Sequence, residues 1–238
     1  MGRFRSVLLA QADDLISLVY PRLCLACRQP LLRNEKHLCM LCRYDLPETG
    51  YHEDTGNRVA RHFWGRVRLE AAASLYSFGS GSKVQKLIHA LKYENRPEIG
   101  DMLGAYYGLQ LRKSAPYSSA RLIVPVPLHP LKEHRRGYNQ AARFARGLSE
   151  TMGIRAGTRA LERINFTETQ TRKNRQQRWE NVRSVFRVKD AGQIRDTRIL
   201  LVDDVVTTGS TLEACARALL DAGARGVTVA TIACAAHL

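Results

Sequence analysis

The sequence predicts an α/β protein in which a parallel sheet carries helices on both faces, preceded by a small four-cysteine module. Three observations carry that expectation. Beyond residue 60, short buried-strand patterns alternate with helical ones. One strand pattern, ending at Val202, runs into Asp203-Asp204 and then into a loop of small hydroxyl residues that opens a helix. Upstream, Cys24, Cys27, Cys39 and Cys42 form two CxxC pairs separated by eleven residues. The 238 residues suffice for one α/β domain with a small appendage. Apolar residues make up 45% and charged residues 25%, which excludes a wholly disordered or collagen-like chain.

Taken in order, residues 4–19 place Phe4, Val7, Leu8, Leu15, Leu18 and Val19 at helical spacing, and Pro21 ends the pattern. Such a helix covers a face of the main domain or lies on a membrane surface; a polar side poor in Lys favours the first. Its longest apolar stretch, from Val7 to Ala10, is followed by Asp13 and Asp14, so it is no export signal. No apolar run approaches the roughly 18 residues of a transmembrane helix. A reducing, cytoplasmic setting is therefore expected, and there the four thiols read as a closed, structural zinc site rather than as a disulfide or redox pair. With four cysteines present, His37 is expected at the surface and not on the metal. Cys215 and Cys234 are expected to be buried as small hydrophobes. The polar stretch from Glu48 to Arg58 reads as a linker or loop. That places a boundary near residue 60, between an N-terminal helix with a zinc-ribbon-like module (1–60) and the α/β domain (61–238).

In the second part, Ala71 to Phe78 reads as a strand, and Lys83 to Tyr93 and Ile99 to Lys113 as helices. Arg121 to Val126 reads as a buried strand ended by prolines, and Tyr138 to Met152 as a helix with Ala141, Ala142, Phe144, Ala145 and Leu148 inward. Arg198 to Val202 forms an apolar strand core, Ser210 to Asp221 a helix stopped by Gly223, and Val227 to Ala233 a further buried strand. Strand, helix, strand in this rhythm gives right-handed crossovers and a parallel sheet.

The stretch from Ile199 to Thr211 carries the chemistry. Two carboxylates stand where open α/β sheets bind ligands, at the C-terminal end of a buried strand. Behind them, main-chain N–H groups at a helix start, with the hydroxyls of Thr207, Thr208, Ser210 and Thr211, make a cradle for one phosphate. Gly209 lets the backbone approach it. Adjacent acids accept hydrogen bonds from a ribose diol and attract a divalent ion. Helix capping is the plain alternative for an acidic pair, but it does not explain the whole thirteen-residue pattern.

This stretch resembles the phosphoribosyl pyrophosphate (PRPP) motif of type I phosphoribosyltransferases. With the four cysteines in front of it, the chain resembles the ComF family. Leu91-Lys92-Tyr93, Val124 to His129, Arg135 to Gln140, and Gln170 with Arg178, Asn181, Val182 and Phe186 agree with that family's pattern. One departure is Lys173, where family members often carry Leu.

The resemblance implies a type I phosphoribosyltransferase-like fold. It assigns Asp203 and Asp204 to the ribose hydroxyls and Mg²⁺, Thr207, Thr208, Gly209, Ser210 and Thr211 to the 5′-phosphate, and the loop with Val126 and Pro127 to pyrophosphate. Lys92, Arg135 and Arg136 are candidate cations for that pyrophosphate, with solvated surface charge as the equal alternative. Thr207 stands where purine-salvage relatives carry an Asp near the incoming base, and a Thr hydroxyl is a poor general base. His129 and His134 fit phosphate donation or the surface equally. Gly2 follows Met1, so there is no N-terminal cysteine for releasing ammonia from glutamine.

Thirty-seven Lys and Arg against 22 Asp and Glu give a net charge of +15, which favours polyanionic partners. From Arg155 to Lys189 ten basic residues face only Glu162, Glu168 and Glu180. Within this segment Arg172, Lys173, Arg175 and Arg178 are candidate contacts to single-stranded DNA, with Phe166 and Trp179 as stacking residues or core, and Phe186 as core. Two functions follow. The first is a ComF-like protein that binds a phosphoribosyl ligand with Mg²⁺ and single-stranded DNA, acting in DNA uptake or processing, with a helicase-like uptake protein as a partner implied by the resemblance. The second is an active transferase that displaces pyrophosphate from PRPP with a base or amine.

Overall fold

A computed structural model describes residues 20–164 and 185–236. The expected helix at 4–19 and the candidate DNA contacts Arg172, Lys173, Arg175 and Arg178 lie outside the described residues, as do Phe166 and Trp179. Four strands, β1 (Ala71–Phe78), β2 (Leu122–Pro125), β5 (Arg198–Val206) and β6 (Gly226–Ala235), form one parallel sheet in the order β1-β6-β5-β2. Between β2 and β5 in sequence, β3 (Leu161–Arg163) and β4 (Phe186–Val188) make a separate antiparallel pair.

The helices are α1 (Met40–Asp45), α2 (Arg58–His62), α3 (Lys83–Tyr93), α4 (Glu98–Leu111), α5 (Ala115–Ser118), α6 (Pro130–Arg136), α7 (Gln140–Met152), α8 (Ala191–Ile194) and α9 (Ser210–Asp221). Successive strand residues point to opposite faces, and the core divides accordingly. Ile123, Leu200, Val202, Ala230 and Ile232 join α3, α4 and α7 on one side. Leu122, Val124, Ile199, Leu201, Val227 and Val229 join α2 and α9 on the other. β6 is buried along its whole length, as a central strand covered on both faces must be. Between β1 and β6 the hydroxyls of Ser74 and Thr231 satisfy each other at 2.6 Å.

Each edge of the sheet takes one further bridge outside the strands. Glu48 bridges antiparallel to Tyr76 on β1, and Ala156 bridges to Ile123 on β2. α4 and α7 cross closely because Gly104 and Gly147 bring the main chains together. A Cβ on Gly104 would strike the Phe144 carbonyl, and one on Gly147 would strike that of Asp101.

Three elements go beyond the sequence reading. β5 continues past Val202 through both acids to Val206, held by pairing with Thr231 and Ala233. Pro130 does not break the chain but starts α6, where its missing N–H costs nothing. The polar stretch after Glu48 ends in α2, whose first N–H groups are capped by the side chain of buried Asn57. Phe186, Cys215 and Cys234 are buried as expected.

Candidate functional site

The sheet's C-terminal edge gathers most of the residues singled out in the sequence. Because Asp203 and Asp204 are consecutive in a strand, alternation sends them to different surroundings. Asp204 is buried on the α3 side, and Lys92, in the last turn of α3, reaches it with Nζ 3.0 Å from Oδ2. Asp203 accepts the Asp204 main-chain N–H at 2.8 Å. Burial, then the neighbouring Asp204 charge, push the Asp203 carboxyl up to about 8.

Immediately after β5, Thr207, Thr208, Ser210 and Thr211 expose their side chains, while Gly209 is buried with φ +68°. Only glycine suits that place. Its backbone is left-handed, and a Cβ would lie 2.9 Å from Phe63 Cε1. No side chain caps α9. Its first N–H groups therefore lack the side-chain acceptor that Asn57 gives α2 and Asn139 gives α7.

The loop is braced from α2 and the turn after it, which the sequence did not reveal. Arg66 Nη1 donates to the Thr208 carbonyl at 3.0 Å, and His62 Nε2 lies 2.8 Å from the same oxygen. Arg66 is held in turn by Glu213 on α9, with Nη2 2.6 Å from Oε2. Burial alone would raise the Glu213 carboxyl, but Arg66 and Arg217 outweigh it and hold the group below the usual range. His62 and Arg66 sit four apart on one turn, yet they meet a loop more than 140 residues away. No local pattern shows such a contact.

Of the residues expected at pyrophosphate, Val126 is buried with both main-chain groups engaged. Its N–H donates to the Val202 carbonyl, and its carbonyl accepts from Asn139 Nδ2, each at 2.9 Å. Val126 thus anchors the loop, and Pro127 has no N–H to offer. Arg136 lies over Tyr93 at 5.2 Å and donates to Gln140 at 2.9 Å, which keeps it beside the end of α3. Arg135 is exposed in the last turn of α6. His129 caps α6, accepting the Leu131 N–H, and His134 is exposed.

The second centre is the cysteine module. The sulfurs of Cys24, Cys27, Cys39 and Cys42 all lie within 4.8 Å of one another, placed to hold a metal ion. Tetrahedral zinc with Zn–S bonds near 2.3 Å separates its sulfurs by about 3.8 Å. The Cys27 and Cys39 sulfurs are 3.7 Å apart, so the set fits such an ion. All six cysteines are free of disulfides. Burial would raise the Cys24 thiol, yet N–H groups of Cys27, Cys39 and Ala26 outweigh it and bring it down to about 7. His37 lies outside the cluster, half-buried, with its carbonyl accepting the Leu25 N–H. The module is tied to the domain by Arg28, whose Nη2 is 2.9 Å from Glu94 Oε2 at the end of α3.

Among the described residues no helix is long and apolar enough to cross a membrane. A family model described as phosphoribosyl transferase domain matches residues 134–237. The chain is 31% identical over 230 residues to the DNA utilization protein YhgH of Escherichia coli strain K12, covering 89% of this chain and 96% of that one. Competence protein F of Haemophilus influenzae is 28% identical over 215 residues, covering 87% of this chain and 94% of its own. Competence protein ComFC of Bacillus subtilis is 27% identical over 224 residues, covering 92% and 84%. A phosphoribosyltransferase-type sheet behind four cysteines placed to hold a metal ion, with relatives of these kinds matched along most of their length, makes this chain a member of the ComF family.

Proposed function

We propose that the protein binds PRPP or a related phosphoribosyl ligand at the end of β5, together with single-stranded DNA, and acts in DNA uptake or processing. The observation that carries the ligand reading is the junction of β5 and α9. There two carboxylates lead directly into a loop with four exposed hydroxyl residues and an uncapped helix start. The 5′-phosphate would take the N–H groups and hydroxyls of Thr207 to Thr211. Asp203 and Asp204 would take the ribose diol. Pyrophosphate would lie toward the Val126–Pro127 loop, within reach of Lys92, Arg135 and Arg136. Mg²⁺, a hard ion matched to carboxylate and phosphate oxygens, would supply charge neutralisation for the pyrophosphate.

Zinc in the four-cysteine cluster would be structural, since four sulfurs leave no position for water. For DNA, the support is the excess positive charge, its concentration between Arg155 and Lys189, and relatives named for DNA utilization and competence. Arg172, Lys173, Arg175 and Arg178 are the proposed contacts. The cytoplasm is the proposed compartment.

Fluorescence anisotropy of a labelled single-stranded oligonucleotide tests the DNA half. Replacing those four basic residues by Ala is expected to weaken binding and flatten its dependence on salt concentration. Equal affinity and equal slope would remove this segment from the interface. Pyrophosphate release from PRPP, screened against bases and amines, separates binding from turnover. Release that appears only with an acceptor would make the protein an active transferase.

A further inference from the structure

We propose that Lys92 is the resident counter-ion of Asp204 and keeps a divalent cation out of the site until a phosphoribosyl ligand brings one. This rests on the phosphoribosyl reading of the site and adds an order of events to it. The Lys92 and Asp204 side chains are only 23% and 12% exposed, so their pairing at 3.0 Å is poorly screened by solvent. The ammonium is placed by structure rather than by chance. Lys92 lies in the last turn of α3, where the helix dipole favours a cation. The preceding carbonyl, of Leu91, accepts the Tyr138 hydroxyl at 2.5 Å, and Glu94 is tied to Arg28. Both sides of Lys92 are thus fixed to other elements.

A divalent ion at Asp204 would have to share the carboxylate with the ammonium that Lys92 places on Oδ2. It would also stand beside a second cation in a poorly hydrated place, where like charges repel strongly. The ligand changes that balance, because its pyrophosphate offers the ammonium several anionic oxygens and carries the metal with it. Lys92 then moves its hydrogen bonds from the carboxylate to the leaving group, and Asp204 becomes free for the ribose and the ion. The same lysine would serve the carboxylate and the pyrophosphate in turn.

The probe is Mn²⁺ alone, titrated into the full-length, zinc-loaded protein and followed by the paramagnetic resonance signal of the free ion. Lys92→Met and Lys92→Gln are expected to bind one Mn²⁺ about tenfold or more tighter than wild type. Lys92→Arg stays near wild type, and adding Asp204→Asn abolishes the gain. Circular dichroism and zinc content establish that each variant is folded. Equal Mn²⁺ affinity in wild type and in either folded neutral variant overturns the proposal, as does a gain that survives Asp204→Asn. PRPP binding to wild type is measured separately. Its failure would sink the ligand reading, whereas unchanged Mn²⁺ affinity with PRPP binding intact would sink only the role of Lys92.

Discussion

Asp203 shows what the site demands of single residues. Burial and the Asp204 charge hold its carboxyl up at about 8, so near neutrality the folded protein keeps a proton that the unfolded chain has lost. Between about pH 4 and pH 8 the folded state binds more protons than the unfolded one, and stability falls as pH rises through that window. Asp203→Asn is accordingly expected to exceed wild-type stability by about 1–3 kcal/mol at pH 8, with the gap closing toward pH 4. Urea unfolding across that range measures it, and a gap independent of pH would show that the carboxyl is not strained by its charge. Arg66 acts differently, through the Thr208 carbonyl and Glu213. Losing it removes one of the two contacts on that carbonyl and the tie to Glu213, leaving only His62 there. Arg66→Gln should weaken inorganic phosphate binding about tenfold with little change in Mn²⁺ affinity, a split that general unfolding does not produce.

At the scale of elements, α4 and α7 cross with their main chains in close approach. Gly104→Ala should cost about 2–3 kcal/mol in urea unfolding, because the new methyl meets the rigid Phe144 carbonyl and not a movable side chain. A cost below about 0.5 kcal/mol would mean that the helices part easily. Much of this architecture was legible in the sequence. β1, α3 and α9 begin and end where their periodicity and stop signals say, since each has an uninterrupted apolar face. β5 read short because two acids are poor strand formers, and only pairing with β6 carries the strand through them. α6 was hidden by its initial proline, and α2 by the polar stretch that precedes it. At the end of β5, the acids and the hydroxyl-rich loop after them were legible because they are contiguous. The Arg66 brace was not, because it depends on a contact across the fold. Lys92 was singled out for pyrophosphate, but its pairing with Asp204 is a property of the folded chain alone.

For the molecule as a whole, the four-cysteine cluster is built into the main core. Cys24, Leu25, Ala26, Leu38, Cys42 and Leu46 pack in the same apolar cluster as Leu75, Tyr76, Leu87 and Leu103. If the cluster holds zinc as proposed, removing it with a chelator should lower the melting temperature of the entire protein, by about 5 °C or more, rather than loosen a detached appendage. An unchanged melting curve after verified metal loss would show that the apolar contacts suffice. The exposed Arg28–Glu94 pair adds a contact between the module and the end of α3. The proposed phosphoribosyl ligand rests on the end of β5 and the loop that follows it. Calorimetric titration of PRPP with Mg²⁺ into wild type and into Asp203→Asn/Asp204→Asn tests it most directly. One molecule should bind the wild type, and the double variant, folded and metal-loaded, should show no binding heat. A folded, metal-loaded wild type that gives no heat, or a double variant that binds equally well, would contradict the phosphoribosyl site.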